Sequence, residues 1–324
     1  MSSRTVVCVG ETMAQVVPEG GASLAAADTF GLRTAGAESN VAQGLAQLGN
    51  RVYWMSRLGQ DALGERILAD LSGSGVDVSL VRRMPGVRTG LFLKDPGADG
   101  SVVTYYRERS AASTLSIMDI DIALRPGPGL IHLSGVTPAL SASCAAAVRY
   151  ALRAGRDRGV RTSFDVNYRP VLWPSRRQAA EALLALADAA DVVFVGLDEA
   201  HRLWGARTAP EVRALLPAPD TVIVKDGGRD ATSFSATGST VVSALPVEVV
   251  EPVGAGDAFA AGWLHGMLHG LSEQVRLRLG HLMASVALTA LTDHFVIPTE
   301  PDRFVTAAGA ADWPVLSVRG PGLE

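Results

Sequence analysis

The chain has 324 residues, 48% of them hydrophobic, and a formal net charge of -4 from 29 basic and 33 acidic residues. That length allows two average domains or one large α/β domain with an ample core. The mixed, slightly acidic charge excludes the basic stripe of a nucleic-acid surface and leaves small molecules as the expected partners.

Lys94 and Lys225 are the only lysines; every other basic residue is arginine. Two cysteines, Cys8 and Cys144, are too few for a disulfide framework or a structural zinc site, so a reducing, cytoplasmic location is expected. In chain order, residues 5–10 read as a buried strand. Their apolar run is only strand length and Glu11 follows, so neither a leader peptide nor a membrane anchor is expected. Residues 36–49 read as a turn and an amphipathic helix closed by glycine, with Val41, Leu45 and Leu48 on one face. Asn40 in its first turn either helps cap the helix or projects its amide into a cleft to bind a hydroxyl.

Residues 61–76 form another helix ending in a glycine-rich turn, after which the pattern changes. Residues 89–93 and 101–107 are β-like and are joined by Asp95-Pro96-Gly97-Ala98-Asp99-Gly100, a hairpin signal, which suggests an inserted β flap. Alternate strand residues share a face, so Tyr105 and Arg107 point together while Thr104 and Tyr106 point the other way. The pair either closes over a polar, anionic ligand or is a surface arginine beside a core aromatic.

Residues 130–133, 162–166, 192–195 and 221–225 are short strands rich in β-branched residues. Helices near 141–158, 176–187 and 197–204 lie between them, the βαβ rhythm of a parallel sheet covered on both faces. Ligands of such sheets sit outside the carboxyl ends of the strands. That rim collects Asp165-Val166-Asn167-Tyr168-Arg169-Pro170, Gly196-Leu197-Asp198-Glu199 and Lys225-Asp226-Gly227-Gly228.

A last apolar stretch with strand character, around Val249 and Val250, breaks at Pro252, passes through Gly254, Ala255 and Gly256, and enters an alanine-rich helix at Asp257. The chain reads as largely helical from there to Leu291. The glycines let the backbone approach a ligand, and the free N–H groups at the helix start favour an anion. Asp257 is either an ordinary first-turn acid or a base that takes a proton from a hydroxyl while the amides hold charge on a phosphoryl group. His265 and His269 have the i, i+4 spacing of a metal clamp. Gly266, however, stands where a zinc-protease helix carries its glutamate, and no third ligand is evident, so they read as packing residues.

Over nearly its whole length the chain resembles the PfkB (ribokinase-like) family of carbohydrate kinases. The family's first signature matches Gly36-Ala37-Glu38-Ser39-Asn40-Val41-Ala42 with Leu48-Gly49; its second matches Gly254-Ala255-Gly256-Asp257-Ala258-Phe259 with Gly262. Within the family it is most similar to 2-keto-3-deoxygluconate kinases, through Tyr105-Tyr106-Arg107 with Ser110-Ala111, His132-Leu133-Ser134-Gly135, and residues 165–170 with Leu172-Trp173. Fructokinases share parts of the last motif.

The resemblance implies a single ribokinase-like domain over residues 1–324: a three-layer α/β/α sandwich with a mostly parallel central sheet and a small β-sheet lid from segments near 12–35 and 87–108. It implies phosphoryl transfer from ATP to the primary hydroxyl of the sugar acid, or of a neutral sugar such as fructose in the alternative, with a non-catalytic sensor as a third reading. Asp257 is then the base, with no need of a raised pKa, and the amides of Gly254, Ala255 and Gly256 form the anion hole. Arg107 and Arg169 take the substrate carboxylate, which a planar guanidinium suits, while Gly36, Asn40 and Tyr105 bind the rest. ATP lies along Lys225, Gly227, Gly228, Gly254 and Gly256.

Departures from the family pattern are specific. Phe92 replaces a lid tyrosine, Asp230 replaces a later glycine, and Gly196 replaces the asparagine of the motif whose Glu199 orders Mg²⁺ through water. Asp198 beside it is expected to cap a helix. Some relatives use a monovalent cation, and Glu251 and Pro252 replace the commoner residues ahead of the glycine turn. An exposed flap edge suggests a homo-oligomer formed through the lid.

Overall fold

The computed structural model describes residues 4–97, 101–289, 301–310, 313, 318–319 and 322–323. The chain opens with β1 (Val6–Val9), β2 (Met13–Pro18) and β3 (Phe30–Ala35), then α1 (Ala37–Gln47), β4 (Val52–Met55), β5 (Arg57–Gly59) and α2 (Ala62–Gly73). Next come β6 (Arg82–Met84), β7 (Leu91–Asp95), β8 (Val102–Tyr106) and α3 (Ile117–Ala123). The alternating part follows: β9 (Leu130–Ser134), α4 (Ala142–Arg158), β10 (Arg161–Asp165), α5 (Arg176–Asp188), β11 (Val192–Gly196), α6 (Leu197–Trp204), α7 (Ala209–Leu215) and β12 (Thr221–Asp226). It is completed by β13 (Asp230–Ser235), β14 (Gly238–Ser243), α8 (Ala255–Leu268), α9 (Glu273–Thr289) and α10 (Pro301–Gly309). Among the described residues, no helix is long and apolar enough to cross a membrane.

The central sheet runs β14-β13-β12-β11-β10-β9-β1-β4. It is parallel from β12 to β4, and β13 and β14 add an antiparallel hairpin at one edge. Strands buried on both faces send alternate side chains into two cores. Cys8, Trp54 and Phe194 pack with α1, α8 and α9 on one face, while Val7, Val9, Val193 and Phe164 pack with α4 and α5 on the other. The result is the α/β/α sandwich that the sequence pattern implies.

Helix α8 is buried from Asp257 to Gly266 because it lies between the sheet, α1 and α9. Its Trp263 meets Phe194 edge to face, with ring centroids 5.5 Å apart. Gly262 permits this fit: a Cβ there would lie 2.5 Å from the Leu279 carbonyl oxygen of α9.

A second sheet, in order β3-β2-β7-β8, stands beyond the carboxyl ends of the main strands. Gln15 of β2, Phe92 and Lys94 of β7 and Tyr105 of β8 line the cavity beneath it, and Tyr106 is 60% exposed on the other side. Lys94 forms an ion pair with Glu251, in the segment just before α8. Turn residues 98–100, in the expected hairpin between β7 and β8, lie outside the described residues, as do Ala290 and Leu291 at the expected helix end.

Two expectations are corrected. No strand forms around Val249 and Val250; both are about half exposed, at 55% and 49%. The β13–β14 hairpin occupies the sheet edge beyond β12, and the backbone N–H of Val250 instead donates to the Leu288 carbonyl near the end of α9, at 2.8 Å. Asp198 does not cap α6 but pairs with Arg202 one turn on. Glu199 makes the cap, its Oε2 accepting the Gly196 N–H at 2.9 Å.

Candidate active site

One cavity of about 1030 Å³ lies between the second sheet and the carboxyl ends of the main strands. All the residues singled out from sequence line it: Gly36, Asn40, Tyr105, Arg107, Arg169, Glu199, Lys225, Gly227, Gly228, Gly254, Ala255, Gly256 and Asp257. The strand-end rule accounts for five of them, Arg169, Glu199, Lys225, Gly227 and Gly228, while Gly36 and Asn40 come from the start of α1 and Tyr105 and Arg107 from β8 and its end. The Gly254–Asp257 segment joins the rim as the start of a helix and not as a strand end.

At the centre, Gly254 has φ of 87°, a left-handed conformation that glycine adopts without the Cβ penalty, and from it α8 begins. The first backbone bond of the helix runs from the Ala258 N–H to the Gly254 carbonyl, at 2.9 Å. The N–H groups of Ala255, Gly256 and Asp257 therefore have no partner within the helix. A Cβ on Gly256 would come within 3.3 Å of Lys225 Nζ, so the lysine already crowds this turn.

Asp257 is 8% exposed. Asn40 Nδ2 donates to its Oδ2 at 2.8 Å, and Asn167 Nδ2 reaches its Oδ1 at 3.4 Å. Asn40 is thus turned toward Asp257 and does not cap α1. Burial raises the Asp257 pKa to about 7, opposed by the Asn40 hydrogen bond; Asp165 raises it further, while Arg169 and Lys225 lower it. The sequence reading required no such shift. Its cause is the depth at which α8 is buried, a property of the packing and not of the motif.

Asn167 has φ of 37°, a strained value for a non-glycine residue, and its Oδ1 is buried without a partner among the described residues. Asn40 Oδ1 and Arg107 Nε are in the same condition. Buried polar atoms are normally paired, so three unpaired ones around a single cavity mark where a polar ligand belongs.

Toward the second sheet, Tyr105 and Arg107 do share a face, with the guanidinium carbon 5.4 Å from the ring centroid. Phe92 packs beside them, its ring centroid 5.8 Å from that of Tyr105. Arg107 is also ion-paired with Glu11, which is 3% exposed and accepts from Ser110 Oγ at 2.5 Å. Glu11 was missed as a site residue although the same strand-end rule finds it, since it lies two residues beyond the end of β1.

At the other end, Lys225 Nζ bonds Asp165 Oδ2 at 2.9 Å. Burial opposes its charge, but Asp165 and Glu199 hold its pKa above the ordinary lysine value. Burial, reinforced by Asp165, raises the Glu199 pKa, against the pull of Lys225 and two backbone N–H donors. Those donors are Gly196 on Oε2 and Tyr168, at 2.8 Å, on Oε1. Gly227 has φ of 54°, and a Cβ on either Gly227 or Gly228 would meet nothing within 4 Å, leaving an open backbone surface beside the lysine.

His132 faces away from this cavity; it bonds Ser163 Oγ at 2.7 Å in the interior. His265 and His269 stack with centroids 4.3 Å apart, and Asn50 engages the Nδ1 of His265. Among the described residues, no group of three or more His, Cys, Asp or Glu side chains is placed to hold a metal ion.

The arrangement parallels known proteins. The chain is 38% identical to a 2-dehydro-3-deoxygluconokinase of Bacillus subtilis over 90% of its length and 92% of that protein's. A PfkB protein from Polaromonas sp. JS666 superposes with a TM-score of 0.83 at 36% identity, over 89% of this chain and 97% of the other. A 2-dehydro-3-deoxygluconokinase from Thermotoga maritima superposes with a TM-score of 0.85 at 26% identity, over 95% and 99%. The profile of the pfkB family carbohydrate kinases matches residues 3–300, and the chain belongs to that family of ATP-dependent sugar kinases.

Proposed function

We propose that the enzyme transfers the γ-phosphoryl group of ATP to the primary hydroxyl of 2-keto-3-deoxygluconate, giving the 6-phosphate. The observation that carries this reading is the position of Asp257. It is a buried carboxylate poised near neutrality at a helix N-terminus, between a guanidinium-bearing lobe of the cavity and a lysine- and glycine-lined lobe.

In this mechanism the ionised Asp257 accepts the hydroxyl proton as the oxygen attacks phosphorus in line and ADP departs. The N–H groups of Gly254, Ala255 and Gly256 face the equatorial oxygens of the transferring group and stabilise the charge that accumulates there. Asn40 fixes the rotamer of the base. Arg107 and Arg169 hold the substrate carboxylate, with Gly36 and Tyr105 beside its carbon chain. Lys225, Gly227 and Gly228 lie along the nucleotide phosphates. Closure of the second sheet excludes water, which otherwise competes as the acceptor.

The donor set fits Mg²⁺ only in an outer-sphere role. Both oxygens of Glu199 already accept backbone N–H groups and Asp165 is held by Lys225, which suits an ion carried by phosphates and water. When bound, Mg²⁺ neutralises phosphate charge. Ahead of the glycine turn, the Lys94 ammonium supplies the positive charge beside Glu251, so activity without added K⁺ or Na⁺ is expected. The outer face of the second sheet, with Phe30, Leu32, Val102 and Tyr106 all exposed, suits pairing with a second copy of the chain.

One observation favours a neutral sugar: Glu11 already offsets the charge of Arg107. ADP release with MgATP decides between the two, measured across 2-keto-3-deoxygluconate, its galactonate epimer, fructose, ribose and a nucleoside. Preference for the keto-deoxy acids supports the proposal. Preference for fructose or ribose overturns the substrate while leaving Asp257 as the base, and no turnover on any of them removes the catalytic reading.

A further inference from the structure

A second cavity, of about 330 Å³, shares no lining residue with the first and lies in the groove between α4 and α5. Its floor is apolar, built from Leu152 of α4 and Leu186 of α5, and alanines on both helices leave it open. Arg149, Arg153 and Arg156 also line it, at the i, i+4 and i+7 spacing that puts them on one face of α4. None of the lining residues is acidic.

Among the described residues these guanidiniums have no carboxylate partners. Arg153 lies over the Tyr150 ring at 5.5 Å and Arg156 donates to the Ala189 carbonyl at 3.2 Å, whereas Arg149 has no hydrogen bond or ion pair among the described residues. At the edge of the groove, the indole Nε1 of Trp173 is buried with no acceptor among the described residues. Every polar side chain in the groove is therefore a donor, and all but the indole carry positive charge. An occupant that satisfies them brings negative charge, a hydrogen-bond acceptor and an apolar body.

We propose that this groove is a binding site for a small organic anion with a flat apolar body, its acidic group held by Arg149 and Arg153 and its body on Leu152 and Leu186. Guanidinium groups suit planar anions, and the volume lies at the small end of ligand pockets, enough for a fused ring system. The site borders the catalytic rim. Trp173 directly follows the single 3-10 turn Pro170–Leu172, in which the Leu172 N–H bonds the Arg169 carbonyl at 3.0 Å. An occupant packs against the turn that carries Arg169.

The test is a fluorescence titration of the full chain with anilinonaphthalene sulfonate under saturating MgATP and 2-keto-3-deoxygluconate 6-phosphate, which together fill both lobes of the first cavity. Wild type is compared with Arg149→Glu/Arg153→Glu, whose changed residues are exposed and outside the core, and with Trp173→Phe. The expected result is a saturable site that persists with both ligands and weakens roughly tenfold or more in the arginine variant. Trp173→Phe weakens it by roughly threefold. Uncharged phenylnaphthylamine is indifferent to the arginine change. Absence of saturable binding, full displacement by the two ligands, or equal sulfonate affinity in wild type and the arginine variant overturns the proposal.

Discussion

Replacing Asn40 with alanine removes the shorter of the two amide contacts to Asp257, 2.8 Å against 3.4 Å for Asn167. A hydrogen bond to a charged group contributes about 1.5–3 kcal/mol, and each 1.36 kcal/mol changes an ionisation equilibrium about tenfold. Asn40 donates to the ionised carboxylate, so its loss favours the protonated form and moves the Asp257 pKa upward from about 7. The rise is roughly one to two pH units. Only ionised Asp257 accepts the hydroxyl proton, so kcat/KM at pH 7 falls roughly five- to fiftyfold and recovers toward pH 9. The assay is the pH profile of kcat/KM with direct quantification of ADP. Asn40 also faces the cavity through Oδ1, so part of the loss is independent of pH; the midpoint of the acid limb separates the two. A midpoint that stays at its wild-type value, whatever the drop in rate, refutes the coupling of Asn40 to the base.

Asp257→Asn abolishes turnover, yet the variant is the more stable protein above neutral pH. Because the folded-state pKa is raised, stability present at low pH is lost as pH rises through about 7. Removing the ionisable group restores up to about 4 kcal/mol, read as a higher thermal midpoint at pH 8 than at pH 5 relative to wild type. Arg107→Ala raises KM for acid substrates roughly ten- to a hundredfold and leaves neutral sugars little changed, whereas Glu11→Gln lowers KM for the acids by freeing the guanidinium. Steady-state kinetics on both substrate classes checks the pair, and equal effects on both classes refute a carboxylate clamp. Gly36→Ala places a Cβ against the Glu11 carbonyl oxygen and Thr12 Oγ1. It lowers stability by about 1–3 kcal/mol in denaturant unfolding and disturbs the cavity wall.

Much of this structure can be read from local chemistry. The β-branched runs at 130–133, 162–166, 192–195 and 221–225 mark the parallel strands because those strands are buried on both faces. The ends of β10, β11 and β12 then place Arg169, Glu199 and Lys225 on one rim without reference to tertiary contacts. The antiparallel hairpin is not marked in this way. Asp230–Ser235 and Gly238–Ser243 are largely polar, whereas Val249 and Val250 look like a strand but pair with none, the Val250 N–H bonding the Leu288 carbonyl instead.

The pairings that tune the site are likewise absent from local pattern. Glu11 meets Arg107 across 96 residues of sequence and Lys94 meets Glu251 across 157. The raised pKa of Asp257 follows from burial of α8 on all sides. Periodicity can suggest that helix but cannot give its depth.

The Lys94–Glu251 pair gives the second sheet a mechanical consequence. Its ammonium belongs to β7 and its carboxylate to the segment that leads into the glycine turn, and both side chains are largely buried, at 8% and 15%. The second sheet and the loop ahead of α8 are therefore tied together, and lifting either one works against that tie. Removing one partner of a pair this sheltered costs about 3–5 kcal/mol. Added salt, which screens exposed charges, does little to loosen so sheltered a pair.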